Sequence, residues 1–247
     1  MPGEASRRRL LHRARTLSPA QAARGGGWLV IAPHPDDETL GAGGLIAALA
    51  AAGGRVTVAF LTDGAASHVG APGWSTRRVA QARAAEARAA LRQLGSTSPP
   101  ISLGWRDAAP TAPDTPAFDA TLRRLEALCR RERIRHVVAS WEGDPHCDHE
   151  AAACLARALA RRLRTRPLFY CVWGWTVPDL DRRLAPMRAV AILVARWRGR
   201  RRRALDRHST QLGGRITGAS QRFVLPRAMR RLVDVPHALL LEPRHAS

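Results

Sequence analysis

The chain has 247 residues, with 40 basic against 20 acidic side chains and a formal net charge of +20. That length suits one α/β domain with a sizeable core, and no apolar run approaches the ~20 residues needed to cross a bilayer. Every basic residue is arginine, so the positive field would attract nucleic acid, anionic headgroups or anionic substrates, which concerns association and not fold.

Residues 1–26 are basic, with no continuous apolar core behind them, and do not form a convincing secretory signal. They read as a flexible basic tail ahead of a single domain over 27–247, in a cytoplasmic protein with peripheral membrane contact as a secondary property. Cys129, Cys147, Cys154 and Cys171 show no C-x-x-C pair or disulfide spacing, so reduced thiols are expected.

Trp28 to Ala32 has the length and branching of a buried parallel strand. It runs straight into His34-Pro35-Asp36-Asp37-Glu38. An alanine-rich helical run follows Gly41 to Gly44. These glycines are no dinucleotide fingerprint, because Ile46 occupies the third glycine position of G-x-G-x-x-G. Three adjacent carboxylates repel one another and require a cation or several hydrogen bonds. A solvated helix N-terminus would also favour them, but His34 and the strand-end placement favour a site.

Arg55 to Leu61 is a second strand, ending in the turn signal Thr62-Asp63-Gly64. Ala65 to Ser75 reads as a loop that offers His68 and Trp74 as pocket residues. The apolar spacing from Thr76 to Leu94 predicts a helix, with Gly95 as its stop. Arg83 and Glu86, three apart on this helix, can pair. Ile101 to Trp105 reads as a third strand and Phe118 to Arg131 as an amphipathic helix. His136 to Ser140 is a fourth strand, and Trp141 to Glu150 carries a second cluster with Asp144, His146, Asp148 and His149.

Ala151 to Leu163 reads as helix, while Pro167 to Val172 and Arg188 to Ala195 read as strands. Arg196 to Arg203 is either a solvated helix start or a contact patch for polyanions. A basic helix is expected from about Arg200 to Gln211, carrying His208. Ala238 to Leu241 is expected at a sheet edge, ahead of a polar tail. The alternation implies a Rossmann-like α/β three-layer sandwich with a mostly parallel sheet.

Both clusters directly follow predicted strands. Parallel strands of the same sense end at one edge of the sheet, so the two can converge on one site. His34, Asp37 and a histidine from the second cluster would make a two-imidazole, one-carboxylate set. That set suits catalytic zinc with an open position, and equally the facial triad of Fe(II) enzymes. Cys147 is read as a packed thiol.

These residues resemble the PIG-L/LmbE-like family of zinc-dependent N-acetylglucosaminyl deacetylases. The resemblance rests on His34 to Glu38 after an apolar strand, paired with His146-Cys147-Asp148-His149. It extends to Thr62-Asp63-Gly64, the Arg83 to Glu86 helix and His208 to Gln211. Pro33 stands where the family commonly has alanine, ahead of the ligands. The resemblance implies a metal held by His34, Asp37 and His149, with Zn2+ expected and Fe2+ as the alternative. It further implies Asp36 as general base and a protonated His146, tuned by Asp148, as oxyanion stabiliser. Arg83 and His208 are then expected to contact an N-acyl amino sugar or glycoconjugate.

Two other readings compete with this one. An Fe(II) oxygenase would share the triad, but usually on a jelly roll, which the βαβ pattern contradicts. An arginine-rich protein binding polyanions or membrane surfaces, with a vestigial site, would show strongly salt-dependent binding.

Overall fold

The computed structural model describes residues 3–244. Eight strands form one sheet: β1 Arg15–Leu17, β2 Gly27–Ala32, β3 Val56–Thr62, β4 Ile101–Trp105, β5 Ile134–Ser140, β6 Pro167–Tyr170, β7 Met187–Leu193 and β8 His237–Pro243. Six longer helices accompany them: α1 Glu4–Arg13, α2 Gly43–Ala51, α3 Thr76–Leu94, α4 Pro116–Arg131, α5 Cys147–Leu163 and α6 Arg198–Leu205. The strand order is β1-β7-β8-β6-β5-β2-β3-β4. All neighbours are parallel except β8, which runs antiparallel to both β7 and β6.

The expected α/β three-layer sandwich is the observed fold. Helices α2, α3 and α6 pack together on one face, and α4 with α5 on the other. Every residue of β2 and β3 is buried, as their uninterrupted apolar character requires of strands covered on both faces. The chain winds outward from β2 through β3 to β4 in one direction, and from β5 to β6 in the other. Right-handed crossovers place the connecting helices on opposite faces of the sheet, which opens a crevice where β2 and β5 end side by side.

Local signals agree with the elements. Ser75 Oγ accepts the Arg78 N–H to start α3, and Gly95 in the left-handed region ends it. Thr115 caps α4 ahead of Pro116.

Several expectations need correction. Residues 3–24 are not a loose tail: α1 packs on β7, and β1 pairs in parallel with it at the sheet's edge. The strand expected at an edge, β8, lies inside the sheet, because its run Ala238 to Leu241 is buried on both faces. The helix expected over 200–211 breaks at Leu205, and a separate turn, Ser209–Leu212, follows His208. In the arginine run, Arg201 is buried and donates to the carbonyls of Val235 and Leu232, while Arg202 pairs with Asp234. This run is therefore partly structural. Residues 1, 2 and 245–247 of the expected tails lie outside the described residues.

Between the first cluster and α2, Gly41 lies against Tyr170. A Cβ at Gly41 would overlap a carbon of the Tyr170 ring, and that ring is fully buried with its hydroxyl donating to the Ile31 carbonyl. Gly41→Ala is expected to destabilise the fold by about 1–3 kcal/mol through overpacking, read as a lowered thermal midpoint. An unchanged midpoint would show that the ring can move aside.

Candidate active site

The first cluster occupies the turn after β2 and the one-turn helix Asp37–Leu40. The second forms the start of α5, which begins earlier than periodicity alone suggested, with His146 at its N-cap. The ends of β2 and β5 bring them together: His34 and His146 stack edge-on with ring centroids 4.7 Å apart, and His34 lies 5.6 Å from His149.

The three carboxylates of the first cluster diverge to three different partners. Asp37 Oδ2 lies 3.1 Å from His34 Nδ1 and 3.3 Å from His149 Nε2. Asp36 Oδ2 pairs with the buried guanidinium of Arg83 at 3.2 Å. Glu38 accepts the Asp36 backbone N–H at 2.9 Å through one oxygen and faces Thr39 Oγ1 and His208 Nε2 with the other. This network holds Asp36 at φ +156°, outside the conformations that L-residues favour.

Asp144 is the buried support of His149. Its carboxylate takes backbone N–H groups from Val172, Trp173 and Gly174 and lies 2.9 Å from His149 Nδ1. With every approach to that carboxylate taken by donors, Nδ1 carries the proton and Nε2 presents a lone pair. His149 Nε2 is buried and makes no hydrogen bond among the described residues. His34 is arranged alike, with Nε2 held by Asp148 at 3.0 Å and Asp107 at 3.3 Å, leaving Nδ1 toward Asp37.

A metal ion fits this arrangement. His34, Asp37 and His149 each offer one ligand atom within 4.8 Å of the other two, with Asp37 Oδ2 3.1 Å from His34 Nδ1 and 3.3 Å from His149 Nε2. Their two short separations match the ~3.4 Å edges of a tetrahedron whose metal bonds are about 2.1 Å. The electrostatics agree. Burial opposes charge on His149, but Asp37 and Asp144 raise its pKa to about 9. Burial likewise opposes charge on His34, but Asp107, Asp148 and Asp37 raise it well above the ordinary value. Burial would raise Asp37, but His149 and His34 hold it well below the carboxylate range. The cluster calls for positive charge, which a cation supplies.

A cavity of about 240 Å³ opens over this centre. Its lining combines the polar His34, Asp36, Asp37, Arg83, Asp107 and His146 with the apolar Leu40, Trp173, Phe223 and Leu225. Burial pushes Asp36 up to about 6, against the pull of Arg83. Arg83 donates to the carbonyls of Gly64 and Pro35 as well as to Asp36. Gly64 must be glycine here, with φ +66° and a guanidinium where a Cβ would stand.

Several sequence expectations change. Arg83 does not pair with Glu86, which is taken by Ser209, Thr210 and Arg215. His208 is wholly buried behind Glu38 and does not line the cavity. Asp148 gives its carboxylate chiefly to His34 at 3.0 Å, but it also lies 3.9 Å from His146 Nδ1, and its backbone N–H donates to that nitrogen at 3.2 Å. An Nδ1 that accepts this N–H leaves the His146 proton on Nε2, and burial and the neighbouring imidazoles lower its pKa, against the pull of Asp148 and Asp37. Cys147, expected as a packed thiol, is exposed.

His68 and Trp74 do not line the cavity either. The short ladder between His68–Val69 and Gln221–Arg222 instead carries Phe223 to the site, where its N–H bonds Ser67. Asp107, Asp144, Phe223 and Leu225 had no assigned role in the sequence reading. Only for Asp144, inside the second cluster, did the sequence carry a signal.

The family model described as PIG-L, GlcNAc-PI de-N-acetylase, matches residues 29–160. The chain is 33% identical over 205 residues to the 1D-myo-inositol 2-acetamido-2-deoxy-alpha-D-glucopyranoside deacetylase of Rhodococcus erythropolis, covering 69% of this chain and 67% of that protein. A relative with the same description from Mycolicibacterium paratuberculosis is 37% identical over 144 residues, and the chain spans about half its length, 47%. Among solved structures, a conserved protein of Thermus thermophilus superposes with a TM-score of 0.56 at 27% identity, covering 76% of this chain and 80% of that one. The 4-carboxy-2-hydroxymuconate hydratase GalB of Pseudomonas putida shares the fold, with a TM-score of 0.60 at 20% identity over 84% of this chain and 82% of that one.

Proposed function

The chain belongs to the PIG-L family, and on that premise we propose that it is a metal-dependent hydrolase removing the N-acetyl group from an N-acetylglucosamine-type sugar or glycoconjugate. The observation that carries this reading is the buried Nε2 of His149, without a hydrogen bond among the described residues, beside Asp37 and His34, with Asp36 lining the same cavity as His34 and Asp37.

His34, Asp37 and His149 are the proposed ligands. Zinc bound there would supply Lewis acidity to the attacking water and the amide carbonyl. Asp36 takes the proton from water as the new C–O bond forms. His146 Nε2–H donates to the oxygen that gains negative charge. As the C–N bond breaks, the proton on Asp36 passes to the departing nitrogen, giving acetate and a free amine. Arg83 fixes the Asp36 carboxylate from behind, so that its free oxygen faces the cavity. Asp148 is a positioning residue for both His34 and His146.

The apolar part of the cavity lining suits a sugar. Trp173 and Phe223 meet edge-to-face at 6.0 Å and offer an apolar surface to the faces of a pyranose ring. Gln211, buried in the same lining, has an Oε1 without a partner among the described residues that can accept from a hydroxyl or an amide N–H.

The test is acetate release from a panel of N-acetylglucosaminides, the acetamido-inositol conjugate named for the relatives among them. Activity is expected on at least one member, to be abolished by a chelator and restored by Zn2+. Activity restored by Fe2+ alone would change the metal, whereas turnover unaffected by chelation would refute the mechanism.

A further inference from the structure

A second, much smaller cavity of about 20 Å³ lies behind the turn that carries the first cluster. It is lined by Arg7, Arg201, His237, Cys171, Trp175 and Leu40 among others, with no acidic side chain from the described residues in its wall. Arg7 and Arg201 are both buried, at 8% and 2% exposure. Two buried guanidinium groups facing one cavity without a carboxylate are unusual, because a buried charge is normally paired.

Their visible partners are weak or neutral. Arg201 gives its two terminal nitrogens to the carbonyls of Val235 and Leu232, and its Nε has no partner among the described residues. Arg7 reaches the His237 carbonyl only at 3.4 Å and lies over the Trp175 ring at 4.6 Å. His237 Nδ1 is also buried without a described partner. The nearby acidic side chains act on these arginines only at a distance, Glu4 on Arg7 and Asp234 on Arg201, while their direct ion pairs are with others: Asp234 with Arg202 at 2.5 Å, and Glu4 with Arg8 at 3.5 Å. Burial pushes the Cys171 thiol well above its ordinary value, so it supplies no negative charge.

We propose that this cavity is a binding site for one monovalent inorganic anion of halide size, held between Arg7 and Arg201. The room matches one small ion, being slightly more than the ~10–15 Å³ a single water requires. An anion there would offset one of the two positive charges and offer an acceptor to the Arg201 Nε, which has no partner among the described residues. Arg7, Val235 and His237 also line a surface cleft alongside, together with Glu4 and Asp234, and an ion would enter from that side. The ion would tie α1, α6 and β8 together at the half of the sheet away from β3 and β4.

Two measurements test this on the full-length protein. Thermal midpoints are compared in chloride and in gluconate, which is too large for the cavity, at equal ionic strength. Chloride is expected to raise the midpoint by about 3–5 °C over a hundredfold concentration range centred on its dissociation constant, and Arg7→Met is expected to abolish the difference. Crystals of the unaltered protein soaked in bromide are expected to show an anomalous peak between the two guanidinium groups, a readout that stands even if the variant fails to fold. Equal midpoints in the two salts, or bromide only at surface arginines with water in the cavity, would overturn the proposal.

Discussion

Asp36→Asn is expected to lower acetate release about 10²–10⁴-fold, the usual contribution of a positioned general base, while metal content stays unchanged. The substitution keeps shape and polarity but removes the lone pair that accepts the proton from water. The backbone N–H of Asp36 would still bond Glu38, so the strained turn should hold. The ion pair with Arg83 would be lost, which leaves a buried guanidinium bonded only to the carbonyls of Gly64 and Pro35. Thermal midpoint and metal stoichiometry measured beside the rate therefore separate loss of chemistry from loss of structure. A variant that is folded, metal-loaded and fully active would remove Asp36 from the mechanism.

Asp37→Ala is expected to remove metal binding altogether, and activity with it. Asp37 Oδ2 is the atom that both imidazole lone pairs approach, and it is the only carboxylate in the proposed ligand set. Without it, two neutral imidazoles remain, too few to close a catalytic zinc site. Asp144→Asn makes the graded comparison. It leaves the three ligands in place but weakens the support of His149 Nδ1, and the loss in metal affinity should be about 10–100-fold, as for other partners that orient a metal ligand. Metal content by elemental analysis after dialysis distinguishes the two variants. If Asp37→Ala retained one equivalent of metal, the ligand assignment would be wrong.

Shared fold does not settle the reaction, since a hydratase uses the same architecture. The reading rests on which atoms meet at the crevice. Activity on N-acetylated sugars and chelator sensitivity are therefore the decisive observations, ahead of any structural superposition.

Much of the molecule could be read from its residues in order. Continuous β-branched runs announced buried strands, and their alternation with amphipathic helices implied a mostly parallel sheet. Two clusters placed directly after strands could meet only if those strands shared an edge of the sheet, and β2 and β5 prove to be neighbours. Local patterning sufficed for these features because hydrophobic periodicity and turn chemistry act over a few residues.

Tertiary structure alone decided the partnerships. Arg83 and Glu86 have helical spacing for a pair, yet each finds better buried partners on other segments. Asp148 adjoins His146 in sequence but directs its carboxylate to His34, because the first turn of α5 turns it that way. His208 serves Glu38 from behind the cavity. The N-terminal residues, strongly basic and without a long apolar run, still form an edge strand, since β7 had an open side to pair. A buried charge takes whichever partner the folded chain brings within about 3 Å, and distances of that kind are set by packing between segments far apart in sequence.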